Sequence, residues 1–357
     1  MKRVLVAPLD WGLGHAARCV PVIRELQRQG CDVLLAGSGD SLILLQKEFP
    51  LLRSFSLPGY HPRYPLHGSM TWRMARQLPR FLKVINDEHR AVEQIIQDAG
   101  IDLVISDNRY GCWSGQVPSV FITHQSNIMM PQRFGWLKNV VRWLNEGMVG
   151  RFTVCWIPDF PAEHSLAGDL IPSGMDGLKI NTQFIGCLSR FEYRRDAEEK
   201  FDVVAVLSGP EPQRTLLENI VVPQLRKSRL RYSVVRGLPS LEAAPADARM
   251  VNFLDSKELQ KCLDGADLVI ARSGYSTVMD MRALRKKRVV FIPTPGQTEQ
   301  EYLARRLKEK RIAFSMAQDS FDLGAALQQV KYYSGFGSPT VNDRLHEAVT
   351  SILNFKF

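Results

Sequence analysis

From residue 3 onward the chain alternates short apolar runs with amphipathic stretches, and near residue 200 the alternation starts afresh. The first half carries RVLVAPL, CDVLLAG, LRSFSL, IDLVIS, PSVFIT and FTVCWI; the second carries FDVVAVLSG, LRYSVVRG, ARMVNFL, DLVIARSG and RVVFIPTPG. Short runs rich in Val, Ile and Leu, separated by helical patterns, describe strands buried on both faces of a parallel sheet. The stretch from His15 to Gln29 shows the helical spacing plainly. Ala16, Cys19, Val20, Ile23 and Leu26 share one face, and Gly30 ends it. Residues 71–98 make one long helical pattern interrupted at Pro79, and residues 133–148 make another. In the second half helices are expected through RTLLENIVVPQL, near SKELQKCLDGA and after DLVIARSG.

Between the halves, GCLSRFEYRRDAEEK is charged and lacks apolar periodicity, which places a domain junction there. A chain of 357 residues also exceeds the usual size of one core. The expected fold class is therefore α/β: two Rossmann-like doubly wound domains, residues 1–190 and 191–338, facing a cleft at the carboxyl ends of both sheets. No apolar run is long enough to span a bilayer. MKRVLVAPLD reads as a buried first strand rather than a signal peptide, because Asp10 and a glycine loop follow at once. Six cysteines lie scattered without a CxxC pair, which argues against a zinc knuckle or a disulfide framework and fits a reducing cytoplasm. The net charge of +9 favours anionic partners: nucleotides, phosphates or an acidic lipid surface. No nucleic-acid module accompanies that charge, so no nucleic-acid partner is expected.

Two glycine-rich regions carry the chemistry. WGLGHAARC follows the first strand and sets Gly12, Gly14, His15 and Arg18 at a helix entry. In the second half, Ser208-Gly209, Arg236-Gly237 and Ser273-Gly274 each close a strand, where a glycine lets a ligand approach the backbone and a helix N-terminus offers N–H groups to phosphate. Asp280, one to two turns beyond Gly274, can accept hydrogen bonds from ribose hydroxyls. Gln300 and Glu301 open a helix pointing into the cleft, a placement that suits a hydroxyl-rich sugar. Helix capping by Ser273 and Ser276, and a solvated charged face around EQEYLARRL, are the plainer readings of the same residues.

DLVIARSGYSTVMDMRAL followed by RVVFIPTPGQTEQEYLARRL resembles the donor half of glycosyltransferase family 28, whose type member forms lipid II in peptidoglycan synthesis. The resemblance implies a GT-B fold and a nucleotide-diphosphate sugar donor, UDP-linked, with no metal or other cofactor. It implies donor nucleotide and phosphate contacts at Arg272, Ser273, Gly274, Ser276 and Thr277, with Asp280 in place of the family's glutamate. Phe253 and Leu254 stand where the family holds the base, and Ser208, Gly209 and Arg236 join the same rim. Gln300 and Glu301 stand in place of its glutamine pair, preceded by Gln297, Thr298 and Glu299, as donor-sugar contacts. The resemblance further implies that residues 339–357, including VNDRLHEAVTSILNF, form a helix packing back on the N-terminal domain, which would bind the acceptor.

GLGHAARC is also similar to the first loop of nucleotide-sugar hydrolases from sialic-acid-like sugar pathways. Inverting hexosyl transfer thus has two alternatives, hydrolysis of a nucleotide sugar and non-catalytic binding of one. A transfer needs a base for the incoming hydroxyl. His15 suits that task, with Asp10 as a second base or an orienting partner. Gly12 and Gly14 would offer backbone N–H groups to the leaving diphosphate or the acceptor. Arg18, Asp107 and His124 are the candidate acceptor contacts. A dehydrogenase is disfavoured because VLLAGSG ends the second strand without the acidic residue a dinucleotide ribose requires. Residues 72–83 and 133–152 mix aromatic and basic side chains, among them Phe134, Trp136, Trp143 and Phe152. They could lie on an anionic membrane as a peripheral contact on its inner face, or face the protein core.

Overall fold

The computed structural model describes residues 1–60, 70–125, 138–161, 164–171, 180–194, 200–337 and 344–355. The first sheet contains β1 (Arg3–Pro8), β2 (Asp32–Gly37), β3 (Ser54–Ser56), β4 (Leu103–Asp107), β5 (Ser119–Ile122), β6 (Val154–Ile157) and β7 (Asn181–Phe184), in the order β3-β2-β1-β4-β5-β6-β7. The second contains β8 (Phe201–Val206), β9 (Tyr232–Val235), β10 (Met250–Val251), β11 (Ala266–Ala271), β12 (Val289–Phe291) and β13 (Phe314–Ser315), in the order β10-β9-β8-β11-β12-β13. Every pairing in both sheets is parallel. The architecture is two Rossmann-like units, each with helices on both faces.

The helices are α1 (Leu13–Arg28), α2 (Gly39–Glu48), α3 (Met70–Ala99), α4 (Lys138–Val149), α5 (Gln213–Lys227), α6 (Ser256–Asp264), α7 (Tyr275–Ala283), α8 (Thr298–Glu309), α9 (Leu323–Gln329) and α10 (Leu345–Leu353). Strand alternation explains the layering. Val4 and Val6 join Ala16, Cys19 and Ile23 of α1, while Leu5 and Ala7 point the other way into Val92 and Ile96 of α3. In the second sheet Val203 and Ala205 meet Leu217 and Val221 of α5. Val204 faces the opposite layer with Leu259 and Leu263 of α6.

Three local features depart from expectation. α3 runs through Pro79 without a break: a proline removes one backbone donor, and the helix continues on its other bonds. β7 and β13 carried no apolar-run signal. β7 is the polar edge segment Asn-Thr-Gln-Phe and β13 has two residues, so neither buries enough side chain to show a pattern. Phe152 is buried against Phe121 rather than presented to a membrane, whereas Trp143 on α4 is 70% exposed. Phe134 and Trp136 lie outside the described residues.

The two units touch directly. Ser276 Oγ donates to the Gly14 carbonyl at 2.9 Å, and Tyr275 Oη donates to the Pro158 carbonyl at 2.9 Å. The Glu48 carboxylate accepts from Ser256 N and Oγ at 2.5 and 2.6 Å. α10 lies on the first unit, with His346 Nδ1 2.7 Å from Glu25 Oε1 of α1 and the Lys2 amine on the Leu353 carbonyl.

Candidate active site

Parallel pairing brings the carboxyl ends of β1, β4 and β5 to one edge. Pro8 sits beside Asp107, and Asp107 beside Ile122, so the residues that follow these strands converge. In the first sheet the strand order reverses between β1 and β4, a place where such sheets bind ligands. Gly12, at φ 87°, turns the chain into α1, a backbone conformation that a side chain would strain. The turn sets His15 in the first turn of α1, with Arg18 one turn later.

His15 Nδ1 lies 2.7 Å from Asp107 Oδ1 and 3.0 Å from Arg18 Nη2. Asp107 is wholly buried and also accepts from Arg18, through Nε and through Nη2 at 2.5 Å. Burial alone would raise the Asp107 carboxyl; Arg18 and then His15 outweigh it and hold the group at about 2. The anion accepts Nδ1–H from His15, which leaves the Nε2 lone pair free. Burial, reinforced by Arg18 and opposed by Asp107, keeps the His15 pKa below its ordinary 6.5. The ring is a neutral base near neutral pH.

Asp107 therefore orients His15, a role the sequence reading gave to Asp10. Asp10 turns elsewhere: its Oδ2 accepts from Ser38 Oγ at 3.1 Å and from Tyr60 N at 2.9 Å. Arg18 is 2% exposed and spends its guanidinium on Asp107 and His124, so it braces the cluster rather than reaching for an acceptor. Asp107 has no exposed surface for one either. His124 takes Arg18 Nη1 at 2.7 Å on one nitrogen and meets Glu299 Oε1 at 3.0 Å through the other. Its ring stacks on Tyr275, with centroids 4.4 Å apart and planes 2° from parallel.

Between the units lies a cleft of about 510 Å³. Gly12, Gly14 and His15 line one wall, and Ser208, Gly209 and Gly274 line the other. Gly209 (φ 106°) and Gly237 (φ 70°) adopt the left-handed conformation, while Gly274 (φ −65°) is the residue capping α7. Ser276 and Thr277 border the cleft at the N-terminal turn of α7, where a helix favours anions. Val235, Phe253, Leu254, Leu259 and Met281 give the cleft part of its apolar lining, and Asp280 also borders it. Asp280 Oδ1 accepts from Ser189 Oγ at 2.7 Å, and burial pushes its carboxyl up to about 6 against the opposing pull of Arg190.

Several expected contacts are placed otherwise. Arg236 points away from the cleft to Glu218 and to Asn252 Oδ1. Ser273 is buried, its Oγ donating to the Gln300 carbonyl at 2.8 Å. Arg272 borders the cleft but donates to the carbonyls of Ile292, Pro293 and Gln213 and to Gln318 Oε1, so it ties the floor together. Gln297, Thr298, Glu299 and Gln300 line the cleft. Glu301 does not: it lies on another side of the first turn of α8, where its carboxylate accepts from Gly296 N at 2.8 Å. Gln300 is held by its own loop, accepting from Thr294 N and donating to Gln297 Oε1. Tyr275 and Arg190, which no sequence pattern singles out, also border the cleft. Tyr275 sits inside the glycine motif itself, and Arg190 is a basic residue in the junction segment, so position was the available signal in each case.

Residues 217–332 match the family model described as the glycosyltransferase family 28 C-terminal domain. An uncharacterised glycosyltransferase of Methanosarcina acetivorans is 25% identical over 343 residues, covering 86% of this chain and 84% of its own. The UDP-N-acetylglucosamine–N-acetylmuramyl-(pentapeptide) pyrophosphoryl-undecaprenol N-acetylglucosamine transferase of Pasteurella multocida is 22% identical, covering 85% of this chain and 80% of its own. Among solved structures, the glycosyltransferase SnogD from Streptomyces nogalater superposes with a TM-score of 0.60 at 17% identity, covering 99% of this chain and 100% of its own. That likeness shows the fold. The family match and the curated relatives add the activity: the chain is a glycosyltransferase of GT-B architecture with a family 28-like C-terminal half.

Proposed function

We propose that the chain transfers a hexosyl sugar from a UDP-sugar to an acceptor hydroxyl with inversion, and that His15 is the base. The observation that carries this reading is the His15–Asp107 contact at 2.7 Å on the cleft wall facing the N-terminus of α7. In the step, His15 Nε2 takes the acceptor's hydroxyl proton and the freed oxygen attacks the anomeric carbon from the face opposite the diphosphate. The carbon–oxygen bond to the diphosphate breaks, and its electron pair leaves with the phosphate oxygen. The N–H groups at Ser276 and Thr277 and the backbone of Gly12 and Gly14 are suited to receive that charge. Phe253 and Leu254 would flank the base, and Asp280 would accept from the ribose. The Pasteurella relative's name gives a UDP-N-acetylglucosamine donor and a lipid-linked acceptor, which supports the same classes here.

An acceptor presented at an anionic membrane surface completes the reading. Supporting it are the exposed Trp143, Leu144 and Arg142 of α4 and the exposed Leu82 of α3. No helix among the described residues is long and apolar enough to cross a bilayer. The first experiment is a thermal-shift screen of nucleotide-diphosphate sugars, since a ligand that binds only the folded state raises its apparent stability. A UDP-sugar should give the largest shift, and nucleotide release should need an acceptor. Rapid release without one would make the enzyme a hydrolase instead.

A further inference from the structure

We propose that Tyr275 and Glu299, reaching across the cleft from the second unit, clasp His124 and thereby fix Arg18, Asp107 and the His15 ring as positioning residues for the transfer. The clasp deepens the reading of His15 as the base and rests on it. His124 is 5% exposed and gripped on two edges and one face. Arg18 can only donate, so its Nη1, at 2.7 Å, obliges His124 Nδ1 to accept. The ring proton then sits on Nε2, which donates to Glu299 Oε1 at 3.0 Å. Tyr275 covers the ring face, and its own ring is pinned where Oη donates to the Pro158 carbonyl.

Every link onward is occupied. Arg18 gives Nη1 to His124 and gives Nε and Nη2 to Asp107, whose Oδ1 in turn meets His15 Nδ1. With Glu299 gone, the His124 N–H loses its carboxylate acceptor, its ring is held less firmly, and the guanidinium loses part of one of its two fixed sides. Asp107 then no longer sets the His15 tautomer uniquely. Glu299 acts in this way on the base instead of on the donor sugar, where the sequence reading placed it. Because Tyr275 and Glu299 belong to the second unit and His15 to the first, the base is aligned when the units meet as they do here.

The charged and titratable groups facing His15 are Arg18 on its own helix, Asp107 at the end of β4, His124 after β5 and, through His124, Glu299 on α8. Removing the Glu299 charge leaves Arg18 less neutralised, which lowers the His15 pKa further.

Nitrogen-15 NMR of the histidine side chains tests the clasp on the whole chain, with His15→Asn identifying the His15 signals. In the wild type His15 should hold the Nδ1–H tautomer. In Glu299→Ala and in Tyr275→Leu the tautomers should mix, and in Glu299→Ala the titration midpoint should also fall. Glu299→Gln, whose amide oxygen can accept the same N–H, should restore the tautomer but not the midpoint, and it serves if the alanine variant does not fold. Calorimetry with UDP and with UDP-N-acetylglucosamine should give affinities unchanged by Glu299→Ala. An unaltered His15 tautomer and midpoint in folded Glu299 variants would overturn the clasp. So would a loss of UDP-N-acetylglucosamine affinity with UDP affinity intact, which would make Glu299 a sugar contact. If His15→Asn itself keeps full turnover, the base reading fails, while the NMR result still decides the clasp.

Discussion

His15 and Asp107 stand 92 positions apart, and no local pattern joins them. His15 is legible in the sequence because an imidazole at a glycine-rich helix entry after the first strand suits a general base. Its partner became visible only through the pairing of Pro8 with Asp107 between β1 and β4. Asp10, nearer in sequence, does not orient His15, because its carboxylate serves Ser38 and Tyr60. Asp107→Asn keeps the shape but removes the counter-charge of a buried arginine, so unfolding in urea should show a loss of about 3–5 kcal/mol. The Asp107 carboxyl is depressed in the folded state, so its stabilisation is full above its unfolded value of 3.8 and is lost as pH falls through about 2. The asparagine variant should lack that acid limb in a pH series of denaturation curves. Asp280 behaves oppositely. With its carboxyl raised to about 6, the folded free protein binds the proton that the unfolded chain has lost, and this group's contribution to stability falls as pH rises from 3.8 to 6. If Asp280 holds the ribose as proposed, the hydroxyls donate to its charged form, so UDP-sugar affinity measured by calorimetry should rise as pH increases through about 6. In Asp280→Asn that rise should vanish; a rise that persists would remove Asp280 from the nucleotide site.

Among the elements, strands buried on both faces were legible because nearly every residue in them is apolar: β1, β4, β5, β8 and β11 all coincide with expected runs. The edge strands β7 and β13 were not, since an edge needs fewer buried side chains. The start of α8 shows another limit. A motif places residues 297–301 near the cleft, but successive helix positions turn by about 100°, so Glu299 faces His124 while Glu301 caps Gly296. The approach of α1 to α7 makes a sharper claim. A Cβ on Gly14 would lie 3.1 Å from Ser276 Oγ, tighter than ordinary contact. Gly14→Ala should push this loop off α7 and cost ~10-fold in turnover. UDP affinity should hold, because the expected nucleotide contacts lie mostly on the second unit; calorimetry beside steady-state kinetics checks both. For α4, Trp143→Ser should weaken co-sedimentation with phosphatidylglycerol vesicles. Equal binding by both proteins would free α4 of any membrane role.

At the scale of the molecule, the two halves are separate sheets joined by a shared apolar cluster, by cross-cleft hydrogen bonds and by α10 lying on α1. This arrangement sets His15, the proposed base, on one wall and the N-terminus of α7, the proposed phosphate site, on the other, so the two proposed tasks separate by mutation. His15→Ala in a folded protein, assayed with the donor and acceptor that give wild-type turnover, is the most direct test. The base assignment predicts a fall of ~100-fold or more in kcat, with UDP affinity by calorimetry within about twofold of wild type, since a uniform binding loss would appear in affinity instead. Wild-type turnover in that variant would contradict it.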